Sequence, residues 1–409
     1  MHRKTLQWLG LLALATLALA ACAGPEGPEG PAGPAGPAGP IGPQGPPGAA
    51  AEPADIAAAG ADYVGSATCG GCHEGTYNKF ILSGHPFKLN KVVDGQPPTY
   101  PYTEVLEVPE GFTWDDVTYV IGGYNWKARF IGLDGYIITG DADATTQYNF
   151  PNDEVDKDAG WAAYHPGEQK PYDCGPCHTT GYQPSGHQDG LEGITGTWAE
   201  PGVQCERCHG PGGNHVGDPY GVAMEIDRSA QLCGDCHIRG SVSAVNAKGG
   251  FTRHHEQAEE LYASKHFAIG CVGCHDPHAS ALNADEELNP SKGIWNDCQD
   301  CHFEQAANQK SSTMAGLLSC TDCHMPPMSK SAWGNLDVFT ADVRSHLFAI
   351  NDDPAAPQFS EDGGETMPYL TIQYACQSCH IAGATRSRAG ASRTLEALAE
   401  TAQGYHSAP

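Results

Sequence analysis

Sixteen of the chain's 17 cysteines fall in pairs spaced Cys-x-x-Cys, and a histidine directly follows every pair. The sets are Cys69, Cys72 and His73; Cys174, Cys177 and His178; Cys205, Cys208 and His209; Cys233, Cys236 and His237; Cys271, Cys274 and His275; Cys298, Cys301 and His302; Cys320, Cys323 and His324; and Cys376, Cys379 and His380. This spacing suits thioether attachment to a macrocycle. Two thiols reach two vinyl groups on one edge, and the next residue puts its imidazole under the central iron. Disulfides of an exported protein or zinc sites built from Cys-x-x-Cys pairs would leave the histidine after each pair unexplained. The motifs therefore predict eight covalently bound haem c groups, each with its iron.

Each iron has a second axial position, and the chain has histidines to fill it. Of 19 His, eight belong to the motifs and His2 lies in the leader, so ten remain. Eight are expected on the far side of an iron: His85, His187, His215, His255, His266, His278, His346 and His406. His254 adjoins His255, so one of the two is expected to bind, and His255 is preferred. His165 is the weakest candidate. His278 stands three residues beyond His275, too close to cross that residue's own haem, and should serve an adjacent one. Met325 and Met328 beside the seventh motif are read as packing. Iron closed on both sides suits the passage of electrons, and no catalytic residue is assigned.

The thiols must be exported to meet haem, and the amino terminus reads as an export signal. Residues 2–4 are His-Arg-Lys, an apolar run extends from Leu6 to Ala21, and Cys22 follows. Residues 1–21 read as a leader ending in a pattern that resembles a bacterial lipoprotein processing site. That resemblance implies cleavage before Cys22, lipidation of its thiol, and a place at the outer membrane or cell surface. Residues 24–48 carry Gly at every third position, usually followed by Pro, the period of collagen. The segment 22–62 is then a tether. It is either a semi-rigid spacer or a short triple helix that would make the protein a trimer.

The formal charge is −27 over 409 residues. Nucleic acid is excluded as a partner, since phosphate binding needs basic patches. A redox partner protein or an extracellular electron acceptor fits better.

The elements that must position these groups are expected to be modest. Residues 63–409 should consist mainly of short α-helices and loops wrapped on a haem stack, in a multihaem arrangement. A four-haem half over 63–245 would be followed by a second over 246–409, with a break at SAVNAKGG. The motif-free stretch includes TYVI, KARFIG and YIITG, strand-like runs around an LDG turn. They predict a small β-hairpin insert over about 100–142. TLEALAETA predicts a helix leading to His406.

The stretches YVGSATCGGCH, YVIGGYNWKARFIGLDGYIITG, YDCGPCHTTGY and GVQCERCHGPGGNH resemble the exported multihaem cytochromes of metal-respiring bacteria and archaea, some of which form filaments. CVGCHDPH, CTDCHMPPMSKSA and DVRSHLFAI are similar to the wider tetrahaem and octahaem cytochrome c family. The resemblance implies an electron conduit, with assembly into a filament as one form of it. The alternative is an octahaem oxidoreductase acting on nitrite, hydroxylamine or a sulfur oxyanion, which needs one open iron. Nitrite reductases similar to this class carry Lys in place of a motif His, and no Cys-x-x-Cys-Lys occurs here.

Overall fold

Residues 117–137 are rich in β-branched and aromatic side chains, which favour extended chain, and the strands they form organise the first half of the structure. A computed structural model describes residues 62–308, 314, 317–384 and 392–406. The leader, Cys22 and the Gly-Pro repeat lie outside the described residues. Strands β1 (Leu89–Lys91), β2 (Val117–Gly122), β3 (Lys127–Gly132), β4 (Tyr136–Ile137) and β7 (Lys170–Pro171) join in the order β1-β2-β3-β4-β7. β5 (Gln147–Asn149) pairs with β3 and with β6 (Gly160–Ala162).

Both faces of this sheet are covered. Val120, Ala128 and Phe130 pack with Val105, Tyr124 and Phe150 on one side. Tyr119, Ile121 and Ile131 pack with Leu89, Tyr172, Ile194 and Trp198 on the other, where the half-buried Cys174 also sits. At the β2–β3 turn Gly123 has φ of 96°, and a Cβ there would run into the Tyr100 ring.

A second sheet runs through the C-terminal half. Its order is Thr340–Arg344, Pro327–Asn335, Phe251–Arg253, Val245–Lys248 and Glu365–Thr366. The long strand Pro327–Asn335 is irregular in register. The Asp342 carboxylate holds that irregularity by accepting the N–H groups of Ser331, Ala332 and Trp333 at 2.6, 2.6 and 2.7 Å. The stretch around residue 245, expected as a break, is a strand of this sheet.

The two sheets correct the expectation of a mainly helical chain. Helices at the motifs are a turn or so long, as in Gly175–His178, Cys205–His209 and Cys320–His324, because presenting two thiols and an imidazole needs no more. The apolar residues between motifs are gathered by strands instead. The insert also runs from Leu89 to Pro171 rather than over about 100–142, since its outer strands are two or three residues long and too short to show a period.

Side chains bind the first sheet to the later half. Trp126 Nε1 donates to the Asp342 carbonyl at 2.9 Å, Lys127 Nζ to the Ser331 carbonyl at 2.6 Å, and Trp333 Nε1 to the Phe150 carbonyl at 2.7 Å. The Tyr124 hydroxyl reaches the Leu82 carbonyl at 2.7 Å and Ser280 Oγ at 2.8 Å. Met328 is fully buried with Phe251, Leu347 and Leu370, in the packing role expected of it. The terminal helix, Leu395–Ala402, is capped by Thr394 and packs Leu398 and Ala399 on Ile372. Among the described residues no helix is long and apolar enough to cross a membrane.

Candidate haem sites

Short helices carry the first thiol of most motifs, and the histidine follows within a few residues. Around these histidines the structure builds a repeated geometry. A metal–imidazole bond is about 2 Å, and the ring centre lies roughly 1.1 Å beyond the bound nitrogen, so two imidazoles sharing one metal stand about 6 Å apart. Six motif histidines meet a second histidine at this spacing. His73 faces His215 at 6.3 Å, His237 faces His85 at 6.4 Å, and His209 faces His278 at 6.1 Å between ring centres. His275 faces His346 at 6.2 Å, His302 faces His266 at 5.8 Å, and His324 faces His406 at 6.0 Å. Each pair joins a motif histidine to one of the eight expected partners.

The rings are held from behind. A carbonyl can only accept, so Nδ1 is the donor in each of these contacts and Nε2 is left for a metal. His209 Nδ1 donates to the Glu225 carbonyl at 2.8 Å, His215 to Val222 at 2.6 Å, His324 to Phe348 at 2.8 Å and His406 to Gln305 at 3.0 Å. Metal ligation needs neutral imidazole, and burial supplies it. Burial, then Lys88 and the neighbouring His237 and His278, push His85 down to about 3. Burial likewise takes His178, His237 and His275 down to about 4. These residues fit haem iron, with the paired thiols alongside as its tether.

Among the described residues, His178, His380, His187 and His255 face no partner ring at this spacing. His187 is exposed, with Nδ1 on the Ile194 carbonyl at 2.7 Å. His255 lies 4.1 Å from His254, too near for a shared metal, and His178 is among the charges that depress it. His380 is buried, and its Nδ1 lacks a hydrogen-bond partner. His165 is turned to Glu168 at 2.8 Å.

The motifs also lie near one another in order. Cys69 lies beside Cys205, and Ser66 of the first motif's helix accepts the Cys205 N–H at 3.1 Å. Arg207 of the third motif reaches Cys236 Sγ at 3.9 Å. Cys233 neighbours Cys271, Cys274 neighbours Cys301, Cys298 neighbours Cys320, and Cys376 neighbours Cys323. This order of neighbours runs through motifs one, three, four, five, six, seven and eight. The second motif joins at the fourth, where Cys177 Sγ is 3.8 Å from the Asp235 carbonyl.

A group of cations near the second motif escaped the sequence reading. Lys127 and Arg129 share a face of β3, and Arg129 lies 3.6 Å over the Tyr164 ring. Burial and then Lys127, His255, Arg239 and Arg129 hold His254 far below the usual imidazole range. Burial and Arg129 bring Lys127 itself down to about 7. The available signal was two cations at alternate positions of an otherwise apolar strand.

The profile of the family described as cytochrome c554 and c-prime matches residues 141–210. The chain is 28% identical over 197 residues to the dissimilatory sulfite reductase MccA of Wolinella succinogenes, covering 38% of this chain and 27% of that protein. It is 22% identical over 249 residues to the multihaem cytochrome MtrA of Shewanella baltica, covering 53% of this chain and 68% of that one. The match therefore spans about a quarter of the sulfite reductase's length. Among solved structures, the octahaem sulfite reductase MccA of Wolinella succinogenes superposes with a TM-score of 0.55 at 20% identity, over 77% of this chain and 65% of that chain. The outer cell wall cytochrome OcwA does so with a TM-score of 0.50 at 17% identity, over 82% and 86%. These two likenesses speak to fold alone. With repeated thiol-and-imidazole motifs whose histidines meet facing rings, a cytochrome c554 and c-prime match, and relatives named as multihaem and octahaem proteins, the chain is similar to the multihaem c-type cytochromes.

Proposed function

We propose that the protein holds eight haem c groups on its eight motifs and conducts electrons along them, outside the cytoplasm. Bound haem supplies the one-electron chemistry, iron passing between its ferric and ferrous states. The protein's residues tether, orient and space it. The observation that carries this reading is the series of facing imidazoles, with six motif histidines each set about 6 Å from a second ring. An iron closed by two histidines has no position for substrate. The order of neighbouring motifs supports a path through seven sites, with the second motif as a side branch at the fourth. For the two motif histidines without a facing ring, His255 is proposed as the partner of His178, whereas His187 and His380 await partners of their own. Lipid on Cys22 would anchor the protein at the outer membrane or cell surface, and a redox partner protein or extracellular acceptor would take its electrons. Self-assembly as a filament, or as a trimer through the Gly-Pro segment, is compatible with this role. Electron paramagnetic resonance of the oxidised protein tests the reading. The expected spectrum contains low-spin ferric signals; a set of predominantly high-spin centres would defeat it.

One observation favours a second reading, an oxidoreductase with an open iron. The histidine of the second motif, His178, meets no facing ring, and Arg129 near it, with Lys127 on the same face of β3 and Arg239 near His255, are the charges that would hold a small oxyanion. Sulfite and nitrite titrations with visible spectra separate the two. A saturable shift that is lost in Lys127→Met favours the enzyme. Unchanged spectra, together with a new high-spin signal in His255→Ala and none in His254→Ala, favour the conduit.

A further inference from the structure

We infer that Glu260 is a positioning residue that aims His346 at its iron and, by its buried negative charge, lowers the reduction potential of the haem attached at Cys271 and Cys274. This rests on the reading above, in which His275 and His346 bind one iron.

Glu260 lies on the helix Gln257–Ala263 and is 1% exposed. Its Oε2 accepts the His346 backbone N–H at 2.6 Å and stands 3.8 Å from His346 Nδ1. Its Oε1 accepts the Ser345 hydroxyl at 2.9 Å and meets that of Ser329 at 3.5 Å. The carboxylate thus grips the two residues that launch the ligand, from both oxygens.

The other ligand pairs provide a comparison within the same chain. His209, His215, His324 and His406 rest their Nδ1 atoms on neutral carbonyls. His346 Nδ1 is buried with no such carbonyl, and the group beside it is the Glu260 carboxylate. His278 also has a carboxylate behind it, with Asp276 Oδ1 at 3.4 Å, but Lys79 Nζ neutralises that acid at 2.6 Å. Among the described residues no Lys or Arg forms an ion pair with Glu260. A negative charge behind an axial imidazole makes the ring more electron-donating and favours ferric over ferrous iron. Low dielectric strengthens that effect where the charge is buried and uncompensated. The fifth site lies between the fourth and sixth in the order of neighbouring motifs, so its potential sets a step that every electron on the main path must cross.

The test is a potentiometric titration of the full-length holoprotein followed by visible and electron paramagnetic resonance spectra. In Glu260→Gln one transition should move upward, raising the reduced-to-oxidised ratio of that haem about tenfold at its original midpoint, or about 59 mV for a one-electron couple. Haem content and the number of low-spin centres should stay unchanged. Glu260→Asp keeps the charge and should retain most of the original potential. A Glu260→Gln titration that overlays the wild type overturns the inference, and so does one in which a centre turns high-spin with no shift in the remaining transitions. His346→Ala distinguishes failure of the underlying reading: if it leaves every low-spin centre intact, His346 is not a ligand at all.

Discussion

The rings of His209 and His278 lie 6.1 Å apart and only 4° from parallel, although the first closes the third motif and the second follows the fifth. The fifth motif thus supplies the third with its facing ring, while His346 comes back from beyond the seventh to face His275. In these pairs the facing histidine comes from chain beside another motif. His278→Ala should therefore convert one low-spin ferric centre to high-spin and leave the fifth site as it was. Electron paramagnetic resonance with exogenous imidazole checks this, since added imidazole should restore the signal.

Cys376 and Cys379 sit on a π-helical turn and the helix that follows it, with Cys379 buried. Cys376→Ala combined with Cys379→Ala should reduce the intact mass by one haem beyond the two sulfur atoms. A mass that still shows the full complement would remove the last motif from the set.

Glu256 is 1% exposed beside Glu259. Burial first, and then Glu259, raise it to about 7 from an ordinary value of 4.5. The folded state therefore holds a proton that the unfolded chain has lost between those two values. The stabilisation is full below about 4.5 and disappears as pH rises through about 7. Glu256→Gln has no such proton to lose. Its stability relative to wild type should climb across that window and then level off, as measured by denaturant melts at several pH values. Parallel curves would show that the carboxyl titrates normally.

Phe130 is wholly buried at the centre of β3 and meets Trp114 and Trp161 edge-on or tilted at 6.0 and 5.9 Å. Phe130→Ala should cost about 3–5 kcal/mol. Its thermal transition should fall well below that of the surface change Leu133→Ala, since Leu133 is 61% exposed.

Cys22 is the only cysteine outside the motifs. Cys22→Ser should release the protein from the membrane fraction with its haem spectrum unchanged. Retention of the variant in membranes would point to anchoring by other means.

Much of the architecture was readable in the residues. β2, β3, the turn after Gly132 and the returning β4 follow the runs TYVI, KARFIG and YIITG, because β-branched and aromatic residues are concentrated there between turn residues. The helix before His406 was readable from Thr394 and its following Leu and Ala residues. The second sheet was not. Its strand Pro327–Asn335 contains Pro, Ser, Lys and Gly, and its irregular register is held by Asp342 rather than by an apolar pattern. Nor was the acid behind His346 visible, since nothing in the type or spacing of Glu256, Glu259 and Glu260 announces that packing buries them.

Cys-x-x-Cys-His was determined by the sequence alone, because a thiol pair and the following imidazole are related by local backbone geometry that neighbouring residues cannot change much. Which histidine faces which motif was decided only by the tertiary structure. His215 reaches His73, His266 reaches His302 and His406 reaches His324 through folds of the chain that bring distant segments within 6.3 Å or less. The same holds for the charges that distinguish one site from another. Lys79, Lys127 and Glu260 are ordinary surface residues by type, and burial against groups far along the chain makes their charge matter at the sites they adjoin.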